Sequence, residues 1–315
     1  MHPWPVKKIL VIRLSALGDV IQTFPAFKAI RHHHPEAHIT VLTTAPFREL
    51  LTQSRLFDDV WVHQRLKFHQ LNSLLAFRRQ LLDAQFERVY DLQLSQRTSF
   101  YYYLMGGPLS GVQWVGRAPG AAVRFLEPKG FEINTLDRQQ ALLAVFGMRL
   151  QKPDLRYLAT PLTTPIPTPY VVLVPGASNT FNGAKKWPQH HYAALGQALS
   201  ARGLTPVIVG GPGEDNSLIQ QSCPQALDLT GQTSLTDIIT LAKGACLVVG
   251  NDTGPMHLAA ASVAKVLILF SGKTNAAKAV APDSKIHWLQ SEDIADLSPA
   301  AVIAQIDTIL KQESC

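Results

Sequence analysis

Residues Ala245–Ser262, ACLVVGNDTGPMHLAAAS, pass from an apolar run through a polar loop into an alanine-rich segment. The run Ala245–Val249 suits a buried strand, and His257–Ala261 suits a helix. Gly250-Asn251-Asp252-Thr253-Gly254 makes the turn between them. Asp252 or Thr253 is placed to cap the helix by accepting from its first-turn N–H groups. Strand, glycine-flanked loop and helix start form the repeating unit of an α/β sheet. Such a helix start presents orphan N–H donors and the positive end of the dipole, where phosphate binds readily. An ordinary capped turn has the same pattern, so the stretch decides the fold before it decides a ligand.

Outward from this unit the alternation continues. Upstream lie strand Tyr170–Val174, helix Pro188–Arg202 stopped by Gly203, strand Pro206–Val209, helix Glu214–Gln221, a short strand at Asp228–Leu229 and helix Thr236–Ala242; downstream lies strand Lys265–Phe270. The amino-terminal half repeats the pattern: strand Val6–Leu14, helix Val20–His32 with Pro25 inside it, strand His38–Leu42, helix Pro46–Thr52, strand Val60–Val62, helix Leu71–Gln85 and strand Arg88–Leu94. Alternation of this kind predicts doubly wound parallel sheets. Between the halves, Pro153, Pro161, Pro165, Pro167 and Pro169 interrupt any regular element, and the stretch reads as a linker. The expected domains are therefore 1–155 and 170–315, two Rossmann-like halves facing a cleft, with the last helix a candidate to pack back on the first. Ligands of such sheets bind beyond the carboxyl ends of the strands.

Composition narrows the classes. The chain has 315 residues, 46% hydrophobic and 17% charged, which is globular and long enough for two cores. No apolar run reaches the roughly 18 residues of a membrane helix, and the amino terminus reads as a strand rather than a signal peptide. Cys223, Cys246 and Cys315 have no metal-ligand spacing and are odd in number, so reduced thiols are expected, with Cys246 a small apolar core residue. His32-His33-His34 reads as a solvated cluster at a helix end and Tyr101-Tyr102-Tyr103 as helix packing. The net charge is +6, and residues 60–130 carry nine basic against four acidic residues. This excess suggests an acidic acceptor or an anionic membrane surface. It lacks the aromatic-interleaved basic pattern of a nucleic-acid binder, so no nucleic acid is expected. Gly272-Lys273-Thr274 is not a phosphate-binding P-loop, because the first glycine of that motif falls on Leu267, inside a strand.

Three loops follow strand ends, and their flanks are distinctive: IRLSALGDVIQTFPAF (Ile12–Phe27), VPGASNTFNGAKKWP (Val174–Pro188) and VVGNDTGPMHLAAA (Val248–Ala261). Together they resemble bacterial heptosyltransferases, glycosyltransferase family nine, over most of the chain. The resemblance implies a GT-B fold, cytoplasmic location and transfer of heptose from an ADP-heptose donor to the lipopolysaccharide inner core. Gly18-Asp19 matches the family's Gly-Asp, which makes Asp19 the general base; read by itself, Asp19 is a helix cap. Donor contacts carried over are Ala177, Ser178, Lys185, Asp252, Thr253, Gly254 and His257, with Lys186 an alternative to Lys185 as the cation that meets the diphosphate. The acceptor is assigned to the basic first half, with Gly18, Arg65, Lys67, Arg97, Arg117 and Arg124 as candidates. No paired-aspartate motif stands at a suitable loop, so no metal or other cofactor is expected. The family's Gly-Pro-Thr-Asp loop is replaced here by Ser271-Gly272-Lys273-Thr274-Asn275, which leaves open another nucleotide sugar as donor. A non-catalytic nucleotide-sugar-binding module is the alternative of another class.

Overall fold

The computed structural model describes residues 6–63, 70–126, 134–177, 183–276 and 283–312. The chain divides into two compact units, Met1–Pro153 and Asp154–Cys315. Each is built on one six-stranded sheet.

In the first unit the strands are β1 (Lys8–Ile12), β2 (His38–Thr43), β3 (Asp59–Val62), β4 (Arg88–Asp91), β5 (Gln113–Gly116) and β6 (Val123–Arg124), ordered β3-β2-β1-β4-β5-β6. All neighbours pair in parallel. The helices are α1 (Leu17–His33), α2 (Arg48–Gln53), α3 (Leu71–Asp83), α4 (Gln96–Leu104) and α5 (Thr135–Ala144). Ile9 to Ile12 are fully buried, as a central parallel strand covered on both faces requires. Tyr101 and Tyr102 are buried in this core, whereas Tyr103 is half-exposed.

The second unit has β7 (Tyr170–Val174), β8 (Thr205–Ile208), β9 (Leu227–Asp228), β10 (Leu247–Asn251), β11 (Val266–Ser271) and β12 (Ile286–Ser291), ordered β9-β8-β7-β10-β11-β12. Its helices are α6 (Gln189–Ser200), α7 (Ser217–Ser222), α8 (Leu235–Gly244), α9 (Gly254–Ala261) and α10 (Pro299–Gln312). Residues of β7, β10 and β11 alternate between two cores: Val171, Leu173, Leu247 and Val249 on one face, Val172, Val174, Val248 and Ile268 on the other. Both sheets thus run outward from their first and fourth strands, a dinucleotide-fold winding. The order reverses between β1 and β4 in one unit and between β7 and β10 in the other. The loops beyond those four strands are where such sheets bind ligands.

Four expectations are corrected here. The proline-rich stretch is not a free linker. The Leu155 N–H donates to Ala261 O at 2.8 Å, Thr160 exchanges hydrogen bonds with Thr240, and Leu162 and Ile166 pack on the second core. The last helix, α10, lies on the second unit's own core through Val302, Ile306 and Ile309. Cys246 is disulfide-bonded, not a free thiol, while Cys223 is free and buried. His34 is not simply solvated: its Nε2 lies 2.8 Å from the Tyr90 hydroxyl, and burial with the nearby His33, Arg88 and Arg31 brings it down to about 4. Among the described residues no helix is long and apolar enough to cross a membrane.

Candidate active site

Asp19 stands in the first turn of α1, three residues after the cap position held by Ala16. It is therefore not the cap itself. Its carboxylate reaches back to accept from the Ala16 N–H at 3.2 Å, which satisfies an orphan donor of the helix start. Two further groups grip the same carboxylate. Thr135, the first residue of α5, donates its hydroxyl to Oδ1 at 2.7 Å, and Arg13 approaches Oδ2 at 3.0 Å. Arg13 follows β1 and is buried, whereas the Asp19 side chain remains 43% exposed. Burial opposes the Arg13 charge and the Asp19 carboxylate supports it. The Arg13 guanidinium also donates to Leu92 O at 2.7 Å, and Gln93 accepts from the Leu14 and Ser15 N–H groups. The loops after β1 and β4 are thus laced together at the reversal of the sheet, with one carboxylate fixed in direction and open to solvent. Gly18 lies beside it in the same turn.

At the corresponding place in the second unit, Lys185 Nζ meets Asp252 Oδ2 at 2.6 Å, with 18% and 9% of the two side chains exposed. Thr274 donates to the same oxygen at 3.0 Å, and His257 Nε2 lies 3.7 Å from Oδ1. Burial works against ionisation of Asp252. The bonds and charges of His257 and Lys185 outweigh it and bring the carboxyl down to about 2. Asp252 therefore faces its partners as an anion and does not cap α9. Thr253 holds the cap position but makes no side-chain cap bond, and among the described residues its buried hydroxyl has no partner. Gly254 opens the helix. A helix start with an idle hydroxyl, beside the lysine that pairs with Asp252, has the chemistry to attract an anion. Ala177 lies half-buried just beyond β7.

Asn251 organises these loops, and the motifs do not single it out. Fully buried, it donates to Pro175 O at 2.6 Å and accepts from the Trp187 N–H and the Tyr192 hydroxyl, both at 3.1 Å. One amide therefore ties the β7 loop and the Lys185 loop to the strand that carries Asp252. An asparagine at the end of an apolar strand was the only signal.

The basic acceptor candidates are only partly brought together. Arg97, Arg117 and Arg124 are exposed, on the start of α4, after β5 and on β6. Arg117 donates to Leu94 O at 3.2 Å. Arg65, Lys67 and Ser178 lie outside the described residues. Near Arg97, His63 is buried, stacked on Phe77 and 2.7 Å from the Tyr101 hydroxyl. Burial, with Arg97, brings His63 down to about 4. An unfolded histidine binds its proton near pH 6.5, so between about 4 and 6.5 the unfolded state holds more protons than the folded one. The contribution of His63 is complete above that window and shrinks as pH falls through it. The loss at pH 5 is on the order of 1–2 kcal/mol. Asp91, pushed up to about 7 by burial, acts in the opposite sense. His63→Gln should therefore show a smaller drop in urea midpoint from pH 7 to pH 5 than the parent; an equal drop refutes the assignment.

The sequence profile of glycosyltransferase family 9 (heptosyltransferase) matches residues 74–299. The chain belongs to glycosyltransferase family 9. As a member it is a glycosyltransferase, an enzyme of the transferase class. Lipopolysaccharide heptosyltransferase 2 of Escherichia coli K12 is 23% identical over 97% of this chain and 99% of its own length. Among solved structures, E. coli ADP-heptose lps heptosyltransferase II superposes with a TM-score of 0.78 at 22% identity, covering 98% of this chain and all of that one. E. coli heptosyltransferase WaaC with ADP superposes at 0.75 and 17% identity, covering 96% and 99%. The expected GT-B fold, two doubly wound parallel-sheet units, is what this family-9 chain has.

Proposed function

We propose that this chain moves heptose from ADP-heptose to a hydroxyl of the lipopolysaccharide inner core, with inversion at the anomeric carbon. What carries the reading is the second unit's switch point, where Lys185, the idle Thr253 hydroxyl and the start of α9 converge. The diphosphate binds there, with Ala177, Gly254 and His257 around it. As the anomeric C–O bond breaks, charge grows on the departing ADP, and a prepositioned lysine and helix start stabilise it more than they stabilise the ground state. The acceptor hydroxyl attacks the opposite face, and Asp19 takes its proton. Arg97, Arg117 and Arg124 hold the acceptor's acidic groups. The acceptor being lipid-borne, the enzyme works at the cytoplasmic face of the membrane that carries it.

Thr135 is a positioning residue in this scheme, aiming Asp19 without touching substrate. Thr135→Val should lower kcat about ten-fold with KM for both substrates unchanged, the loss of one hydrogen bond to a charged group. Thr135→Ser should restore it. A change confined to KM contradicts this role.

The test of the whole reading is calorimetry against ADP, UDP and GDP, followed by ADP release on mixing ADP-heptose with a core acceptor. Preference for ADP and release of ADP are expected. Preference for UDP overturns the donor, and tight ADP binding without release makes the protein a binding module. Transfer should persist undiminished in EDTA, since the lysine and helix start supply the positive charge a metal would bring; abolition by EDTA refutes that part.

A further inference from the structure

We propose that the outward face of α3 docks onto an anionic lipid bilayer. The helix buries Phe77 and Leu81 in the first unit's core. Its opposite side should be polar if water were its only neighbour. Instead Leu71, Leu75 and Leu82 are exposed there by 61%, 55% and 38%. With Arg78 they fall at spacings of four, seven and eleven from Leu71, which is one stripe of a helix. Arg79 flanks the stripe and is 85% exposed, so two arginines border the three leucines. The acid on this side, Asp83, sits 3.7 Å from Arg79 and leaves Arg78 uncompensated by it. Among the described residues the unit's other exposed leucines, Leu109 and Leu126, stand singly between the main helices and strands.

Three leucines on one helical stripe, with one arginine among them and a second beside it, match a bilayer surface: the apolar chains enter the acyl boundary while the guanidinium groups stay at the headgroup phosphates. The arginines select an anionic lipid surface, and a purely apolar protein partner would leave them desolvated. The choice of occupant rests on the lipid-borne acceptor proposed above, because a transferase held against the bilayer meets that acceptor in two dimensions.

The full chain is sedimented with vesicles of phosphatidylethanolamine and phosphatidylglycerol, or of phosphatidylcholine alone. Binding to the anionic vesicles, weakened by ~0.5 M salt, is expected. Arg78→Gln/Arg79→Gln should weaken it about twenty-five-fold, roughly five-fold per charge. Leu71→Ser/Leu75→Ser/Leu82→Ser should abolish it. Turnover of a lipid-free core oligosaccharide should be unchanged in both, which separates this surface from the catalytic reading: loss of vesicle binding with normal turnover sustains the docking face. Absence of parent binding to anionic vesicles, or equal binding by the variants, overturns it. So does a parent dimer in light scattering that the leucine variant dissociates, since the face then belongs to a second copy.

Discussion

Asp19→Ala should lower kcat for heptose transfer by about 10³-fold, within the range a single positioned general base contributes, while ADP binds with unchanged affinity. Asp19, the proposed base, and the proposed diphosphate site belong to different units, and the Asp19 contacts to Ala16, Arg13 and Thr135 all lie in the first. The Asp19 side chain is 43% exposed, yet it holds three partners, the Thr135 hydroxyl, the buried Arg13 and, as a first-turn contact, the Ala16 N–H, so the variant is expected to be folded but less stable. Removing such a first-turn contact costs about 1 kcal/mol. The expected pattern is a folded, nucleotide-binding, inactive protein, checked by calorimetry beside a transfer assay. Full transfer by the variant would remove Asp19 from the chemistry.

Lys185→Ala should cost about 10²- to 10³-fold in kcat, the usual loss when one preorganised charge facing a developing anion is deleted. It should weaken ADP as well, because the diphosphate carries charge before and after transfer. The lysine acts with Asp252, which at about 2 stays ionised through any ordinary assay pH and holds the ammonium at 2.6 Å. The stabilising share of that depressed carboxyl is present above about 4 and is lost only as pH falls toward 2. Lys185→Ala and Asp252→Ala should therefore be non-additive, the double variant little worse than Lys185→Ala alone. Additive losses would mean that the two residues act separately.

How much of this was legible follows from what leaves a pattern. β1, β7, β10 and β11 are continuous apolar runs because both their faces are covered, and the runs announce them. β5 and β6 lie in a stretch broken by Gly106, Gly107, Pro108, Gly111, Gly116, Pro119 and Gly120, with no apolar run or following helix pattern to announce them. β12 sits at a sheet edge, half-exposed, with a weak alternation that does not stand out from loop sequence. In the site, Asp19, Lys185 and Asp252 belong to local motifs. Thr135 meets Asp19 across 116 residues of chain, and no local window contains that contact. Arg13 and Asn251 did leave a trace, a polar residue closing an apolar run. Such residues are buried only when they have long-range partners to satisfy them.

The attachment of the proline-rich stretch to the second sheet has a practical consequence for dissecting the enzyme. Severing the chain before Tyr170 would strip Leu162 and Ile166 from their apolar bed and leave Ala261 and Thr240 without Leu155 and Thr160. A carboxyl-terminal half meant to stand alone and take up nucleotide should begin at Asp154, carrying its own belt of prolines with it.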